Sequence, residues 1–379
     1  MTATASDAFL SGRGIPVDPG QVEAELARLW GPAAERAGGP ELDNPTVTRI
    51  VLTNLVVEAE PATASSTFAT LDEVVARFPS RSIVLGRSDD PGRKVLAEVA
   101  AICHLPAPGL PQVCSERIIL RAGPSALDLL PGAVRSLVEP DLPIVLWWTG
   151  DPRADESTFR TIGGDATRLV LDLPDPGADP AAIRLGLDPE INPHARDSAW
   201  FGLGKWRELI AQFFDGPDGR NTLGRIASVT IEAITPSGGP VPRLPVWLAA
   251  WLAGQLGWTP IRREATGLGR VDAVFRDGDR EVTVSIVAEV DPVVTGVQLR
   301  SATIETVAGE GPSSFRLARP AGQSNDIRVE ICSDRACALP RVVVAPELDA
   351  PRRISAALES SRNDPPFRRA LPHALWLLS

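Results

Sequence analysis

The chain of 379 residues contains no tyrosine, only three histidines, four cysteines and two lysines, Lys94 and Lys205. Each shortage removes a class of chemistry. His104, His194 and His373 are scattered, none in a metal-ligand spacing such as HExxH. Cys103 and His104 are neighbours, but no second ligand pair lies nearby. A resident metal or a Cys–His nucleophile is therefore not expected. No GxSxG occurs, and the glycine motifs are poor. Gly12–Gly20 precedes the fold proper. Gly202–Glu208 (GLGKWRE) lacks the preceding strand and the Gly-Lys-Ser/Thr ending of a phosphate loop, and Thr266–Arg270 opens no helix. Positive charge is also short: 38 Lys and Arg face 48 Asp and Glu, a net charge of −10. That disfavours nucleic acid and anionic membranes as partners. Four cysteines are too few for a disulfide framework in a chain this long. The opening MTATASDAFLSGRG has neither a basic start nor an apolar run. The longest apolar stretch, Leu244–Trp258, is short against the roughly 20 residues of a membrane helix. Together these point to a cytoplasmic protein without a cofactor of its own.

What the chain has instead is tryptophan. Seven of its nine tryptophans lie between Trp147 and Trp258. One stretch reads LPIVLWWTGDP (Leu142–Pro152) and another AWFGLGKWRELIAQFFD (Ala199–Asp215). Tryptophan is large and rigid, and its indole N–H wants a partner when buried, so such clusters anchor a core, a ligand platform or an interface. Trp147 and Trp148 are adjacent on a predicted strand and should face opposite ways. At least one of them, and Trp206, is expected in the core. Asp151, Asp155, Glu156 and Asp172 read as solvated loop charges, although Asp151 could stand at a strand C-terminus where an α/β sheet binds ligands.

The periodicity predicts a helix from near Pro19, after a flexible start over residues 1–14, then a Gly/Pro-rich linker over Gly31–Pro45. Continuous β-branched runs at Thr48–Ala59, SRSIVLGRS, CSERIILRAG, LPIVLWWTG and TRLVLDLP predict strands. Helices are expected at Ser65–Phe78, GRKVLAEVAAICH, SALDLLPGAVRSLV and STFRTIGGD. Lys205–Phe214 is amphipathic, with Trp206, Leu209, Ile210 and Phe213 on one face. SVTIEAI is a strand and Pro245–Trp258 a helix. Thereafter short alternating strands predict an antiparallel meander, with Asp-Gly at Arg276–Asp279 marking a hairpin. A final helix (Arg352–Ser361) and an arginine-bearing tail close the chain. The fold class is therefore an α/β N-terminal domain with a mostly parallel sheet, plus an α+β C-terminal domain with an antiparallel meander. The expected divisions are residues 1–44, 45–225 and 226–379. Cys332 and Cys337 flank a polar SDRA segment between two strands. They are either buried free thiols or a redox pair closed by a tight loop.

PDLPIVLWWTGDP and the W-x5-WRELIAQFFD motif beginning at Trp200 resemble the glucose-6-phosphate dehydrogenase assembly protein family, OpcA. TRIVLTNLVV, FPSRSIVL and WLAAWLAGQLGW stand in the family's order from about Pro45 onward. The resemblance implies a non-catalytic partner that binds glucose-6-phosphate dehydrogenase, promotes its active oligomer and raises its activity allosterically in the oxidative pentose phosphate pathway. NADP would then belong to the dehydrogenase. The motif residues Trp147, Trp148, Asp151, Trp200, Trp206, Arg207 and Glu208 become candidates for partner binding. The alternative is a small-molecule-binding α/β enzyme with a pocket near Trp147, Trp148 and Asp151.

Overall fold

Among the described residues, nine strands form the first sheet. In chain order they are β1 (Ile15–Val17), β2 (Val47–Arg49), β3 (Asn54–Glu58), β4 (Arg81–Arg87), β5 (Val95–His104), β6 (Gln112–Ala122), β7 (Ile144–Trp148), β8 (Arg168–Leu171) and β9 (Ala195–Asp197). The computed structural model describes residues 14–37, 47–61, 63–105, 112–215, 217–267, 269–307, 312–320, 325–333 and 336–379. The sheet order is β1-β5-β6-β4-β3-β7-β8-β9, with β2 beside β6. Strands β6, β4, β3, β7 and β8 run parallel. Their middle residues, Leu55–Val57, Ile83–Leu85 and Val145–Trp147, are buried, as strands covered on both faces require. The chain leaves β3 through the Ala64–Arg77 helix to β4 on one side, and β7 through the Glu156–Asp165 helix to β8 on the other. The order thus reverses between β3 and β7.

The largest departure from the sequence reading is β5. Alanine-rich VLAEVAAICH was expected as a helix but is a strand, antiparallel to β6 from Val95↔Ala122 to His104↔Val113. Ladder pairing over this length, with Ala97, Val99 and Ala101 buried, overrides local helix propensity. Glu98 pairs with Arg121 across the ladder. Cys103 and Cys114 are register partners and form a disulfide, Cα atoms 4.1 Å apart. The Thr48–Ala59 run divides into β2 and β3. The first helix runs Val22–Ala37 through Gly31 and Pro32, so the expected linker starts later. The expected flexible start lies almost wholly outside the described residues.

At one end of the first sheet the inner parallel strands hold a buried ionic cluster. Arg81 at the start of β4 donates from Nε to Glu116 Oε2 (2.9 Å) and from Nη1 to Glu23 Oε1 (2.6 Å) and Leu137 O (2.8 Å). Glu116 also accepts from Trp30 Nε1 and pairs with Arg49. The cluster ties the Val22–Ala37 helix to the sheet. Asn192 closes another junction, donating to Gly163 O and Ala166 O at 2.8 Å.

Among the described residues, eight strands form the second sheet: β10 (Ile226–Thr235), β11 (Thr259–Ala265), β12 (Arg270–Asp277), β13 (Arg280–Val290), β14 (Gln298–Thr306), β15 (Pro312–Ala318), β16 (Asp326–Ser333) and β17 (Arg341–Val344). The order is β11-β12-β13-β10-β14-β15-β16-β17. It is the expected antiparallel meander with one insertion: β10 lies between β13, to which it is parallel, and β14, to which it is antiparallel. The Arg243–Leu256 helix is buried along most of its length and ends at Gly257, whose φ of +68° suits glycine. It packs on the Pro365–Leu378 helix, which occupies what the sequence reading left as a tail. A Cβ on Gly254 would come within 2.5 Å of Arg369 O, so only glycine permits that approach.

Two compact units result. One holds residues up to Leu173, Leu185–Arg196 and Ala350–Ser360; the other holds Pro174–Arg184, Asp197–Asp349 and Ser361–Ser379. The helix of Ala350–Glu359 joins the first unit by packing on the Ala64–Arg77 helix. Arg168 Nη1 donates to its Ala357 and Leu358 carbonyls. The Trp200 and Trp206 segment belongs to the second unit, whereas the expected division placed it in 45–225.

Candidate functional site

The first tryptophan stretch ends β7. Trp147 and Trp148 are each 2% exposed. Trp147 Nε1 donates to Asp172 Oδ2 at 3.2 Å. Trp148 packs edge-on against Phe159 with ring centroids 5.0 Å apart, and its Nε1 is buried without a hydrogen-bond partner. Asp151 starts the Pro152–Asp155 turn of 3-10 helix, accepting from Arg153 N and Arg153 Nη2. The Arg153 guanidinium holds its carboxyl below the usual aspartate value.

Between β3 and β7 lies the point where open α/β sheets bind ligands outside the strand C-termini. Here Glu58, the last residue of β3, fills it. Its Oε2 accepts from Gly150 N (2.8 Å), Thr149 N (3.3 Å) and Thr149 Oγ1 (3.2 Å). The residues after β3 read Ala-Glu-Pro, not a glycine fingerprint. Burial pushes the Glu58 pKa above the usual value, outweighing the donors from Gly150 and Thr149. A carboxyl whose folded pKa is raised stabilises the fold fully below its unfolded pKa, and that stability is lost as pH rises through the folded value. Glu58→Gln keeps an acceptor oxygen and removes this dependence. We expect wild type and variant to respond alike at acid pH, with the variant gaining in relative stability as pH rises past the ordinary glutamate range. Parallel melting curves at every pH would contradict this.

The second stretch organises the other unit. Asp197 caps the Ser198–Phe201 helix, accepting from Ala199 N at 2.9 Å. Its Oδ2 also accepts from Arg243 Nε (2.8 Å) and Trp247 Nε1 (3.0 Å). Trp200 Nε1 donates to Asp364 Oδ2 (2.8 Å), and its ring meets Trp247 and Phe367 edge-on. The Arg207 guanidinium lies 3.7 Å from the centre of the Trp200 ring. Burial pulls its pKa down to about 10, and its Nε is buried without a hydrogen-bond partner. Trp206, Leu209, Ile210 and Phe213 form the buried face of the Gly204–Phe213 helix, as the spacing predicts. Glu208 faces outward, pairing with Lys205 and accepting from Gln212.

Trp200 and Trp206 are therefore core residues; Glu208 is exposed, and Asp151 and Arg207 are half-buried. Cys332 and Cys337 form a disulfide with Cα atoms 3.9 Å apart, closing the loop after β16. No free thiol remains, so the buried-thiol alternative and the paucity argument against disulfides are both corrected. Sequence reasoning missed Cys103–Cys114 because β5 was read as a helix. It also missed Glu58, hidden at the end of an apolar run, and the Asp197–Arg243 pair, 46 residues apart. Among the described residues no group of three or more His, Cys, Asp or Glu could hold a metal ion. No helix among them is long and apolar enough to cross a membrane.

The chain therefore carries an α/β unit with a filled switch point and an α+β unit whose tryptophan motif is packed around a buried ion pair. The chain matches the glucose-6-phosphate dehydrogenase subunit N-terminal domain over residues 71–185 and the corresponding C-terminal domain over residues 193–371, and it belongs to this OpcA family. It is 28% identical over 227 residues to an OxPP cycle protein OpcA of Synechococcus elongatus, covering 58% of this chain and 49% of that one. It is 30% identical over 193 residues to its counterpart in Synechocystis sp., covering 50% of this chain and 40% of that one. The chain thus spans at most about half the length of these relatives. Among solved structures, scyllo-inositol dehydrogenase from Lactobacillus casei aligns with a TM-score of 0.41 at 9% identity, over 87% of this chain and 89% of that one. An oxidoreductase domain protein from Kribbella flavida aligns at 0.40 and 10% identity, over 78% and 80%.

Proposed function

We propose that this chain is a non-catalytic assembly factor that binds glucose-6-phosphate dehydrogenase, favours its active oligomer and raises its activity. Family membership is the observation that carries the reading. The filled β3–β7 switch point supports it, because Glu58 occupies the backbone donors that an anionic ligand would use. The alternative pocket near Trp147, Trp148 and Asp151 gains no support: both indoles are core, and Asp151 is engaged with Arg153. NADP belongs, on this reading, to the dehydrogenase.

An activator acts by binding the active state more tightly than the inactive one. A tenfold shift needs only about 1.4 kcal/mol of differential binding. Titrating this chain into steady-state assays of the cognate dehydrogenase is expected to raise kcat/KM in a saturable way. Unchanged kinetics over the whole titration, or turnover of sugar phosphate by this chain alone, would overturn the proposal.

A further inference from the structure

Trp206 of the tryptophan motif borders a surface pocket. The pocket, of about 250 Å³, opens over Trp206, walled by Phe201, Leu244, Leu299 and Val344. Lys205, Arg319 and Glu347 also line it. Two cations and one carboxylate make up its charged lining, on a chain whose net charge is −10. The Arg319 guanidinium stands 5.9 Å from the Trp206 ring centre and donates to Ala345 O. Burial lowers its pKa even with the Glu347 and Asp326 carboxylates acting on it, so a further carboxylate beside it would be favourable. Lys205 meets Glu208 as a surface pair, with side chains 39% and 51% exposed. Such a pair is worth little, and an incoming carboxylate can compete for it.

Further exposed apolar side chains lie on and next to β17, which borders the pocket through Val344. Val342 and Val344 on β17 are 62% and 73% exposed, and Leu339 just before it is 96% exposed. Contiguous exposed apolar side chains mark binding surfaces, whereas single ones do not. Among the described residues β17 is the last strand of its sheet, pairing with β16. Ala345 N–H donates to Asn325 O, so the alternating ladder turns the Val342 and Val344 N–H groups to the open edge. Pro340 and Pro346 sit at the adjoining outward positions and have no N–H to offer. The edge therefore cannot take a long added strand, and the pocket beside it must supply most of a contact.

Resting on the assembly reading above, we propose that this pocket and the adjoining β17 valines form the docking site for a segment of the dehydrogenase that presents a large apolar side chain next to a carboxylate. The apolar side chain enters over Trp206. The carboxylate meets Lys205 and Arg319.

The test uses the full chain and the purified cognate dehydrogenase. Lys205→Glu changes a half-buried surface side chain and Val344→Asp an exposed one, and both should leave the melting temperature and circular dichroism unaltered. We expect the double variant to bind at least tenfold more weakly than wild type in a calorimetric titration. Arg300→Glu, which disrupts a surface pair with Glu289, should bind as wild type does. Binding by the double variant within twofold of wild type overturns the docking site and leaves the assembly reading standing. Failure of wild type itself to bind overturns both. A self-associated wild type that the double variant renders monomeric, with dehydrogenase binding intact, would assign the surface to a second copy and overturn the proposal.

Discussion

Asp197→Ala is expected to destabilise its unit by about 3–5 kcal/mol, the range for breaking a buried ion pair from one side. The carboxylate is wholly buried and serves Arg243 Nε, Trp247 Nε1 and Ala199 N together. Its loss removes a buried carboxylate 2.8 Å from the guanidinium of Arg243, which is 4% exposed, and leaves that of Asp175 still acting on it. It also removes the cap of the Ser198–Phe201 helix and the fixed orientation of Trp247, on which Trp200 and Phe367 pack. Calorimetry should show the corresponding drop in melting temperature. Asp197→Asn, which keeps an acceptor, should lose less. A loss below about 1 kcal/mol in the alanine variant, the scale of an exposed pair, would show that the cluster is not what holds the motif.

Arg81→Met should have the second-largest effect, about 3 kcal/mol at the lower end of the same range. Its side chain is 3% exposed and that of Glu116 is fully buried, so the methionine strands a carboxylate away from water. Arg49 and Trp30 Nε1 still reach Glu116, which keeps the cost below that of the Asp197 change. The variant also frees Glu23, and with it one of the polar ties of the Val22–Ala37 helix. Hydrogen exchange should therefore show faster opening of that helix before global unfolding. Equal protection of the helix in both proteins would contradict this account of the cluster.

Much of the architecture was legible because its signals are local. Buried aliphatic runs such as Ile83–Leu85 and Val145–Leu146 can only be strands covered on both faces. The Trp206, Leu209, Ile210 and Phe213 spacing could only be one face of a helix. What failed was non-local. Val95–His104 has alanines that suit a helix, and only pairing with β6 makes it a strand. The Pro365–Leu378 helix was hidden by Pro372 and by arginines that turn outward around a buried Phe367, Ala370, Ala374 and Leu377 face. In the candidate site, the tryptophans identified the family, yet most of them serve packing. Residues available for contact, Lys205 and Val344, are ordinary surface side chains that only the folded chain sets around one pocket.

The central claim is assembly of the dehydrogenase, and sedimentation velocity tests it most directly. The cognate dehydrogenase would be run alone and with a stoichiometric excess of this chain, at a concentration where the enzyme alone is partly dissociated. The account predicts a faster-sedimenting species that contains both proteins, with the small dehydrogenase species depleted in parallel. Two independent boundaries, each at the position of the protein run alone, would contradict it.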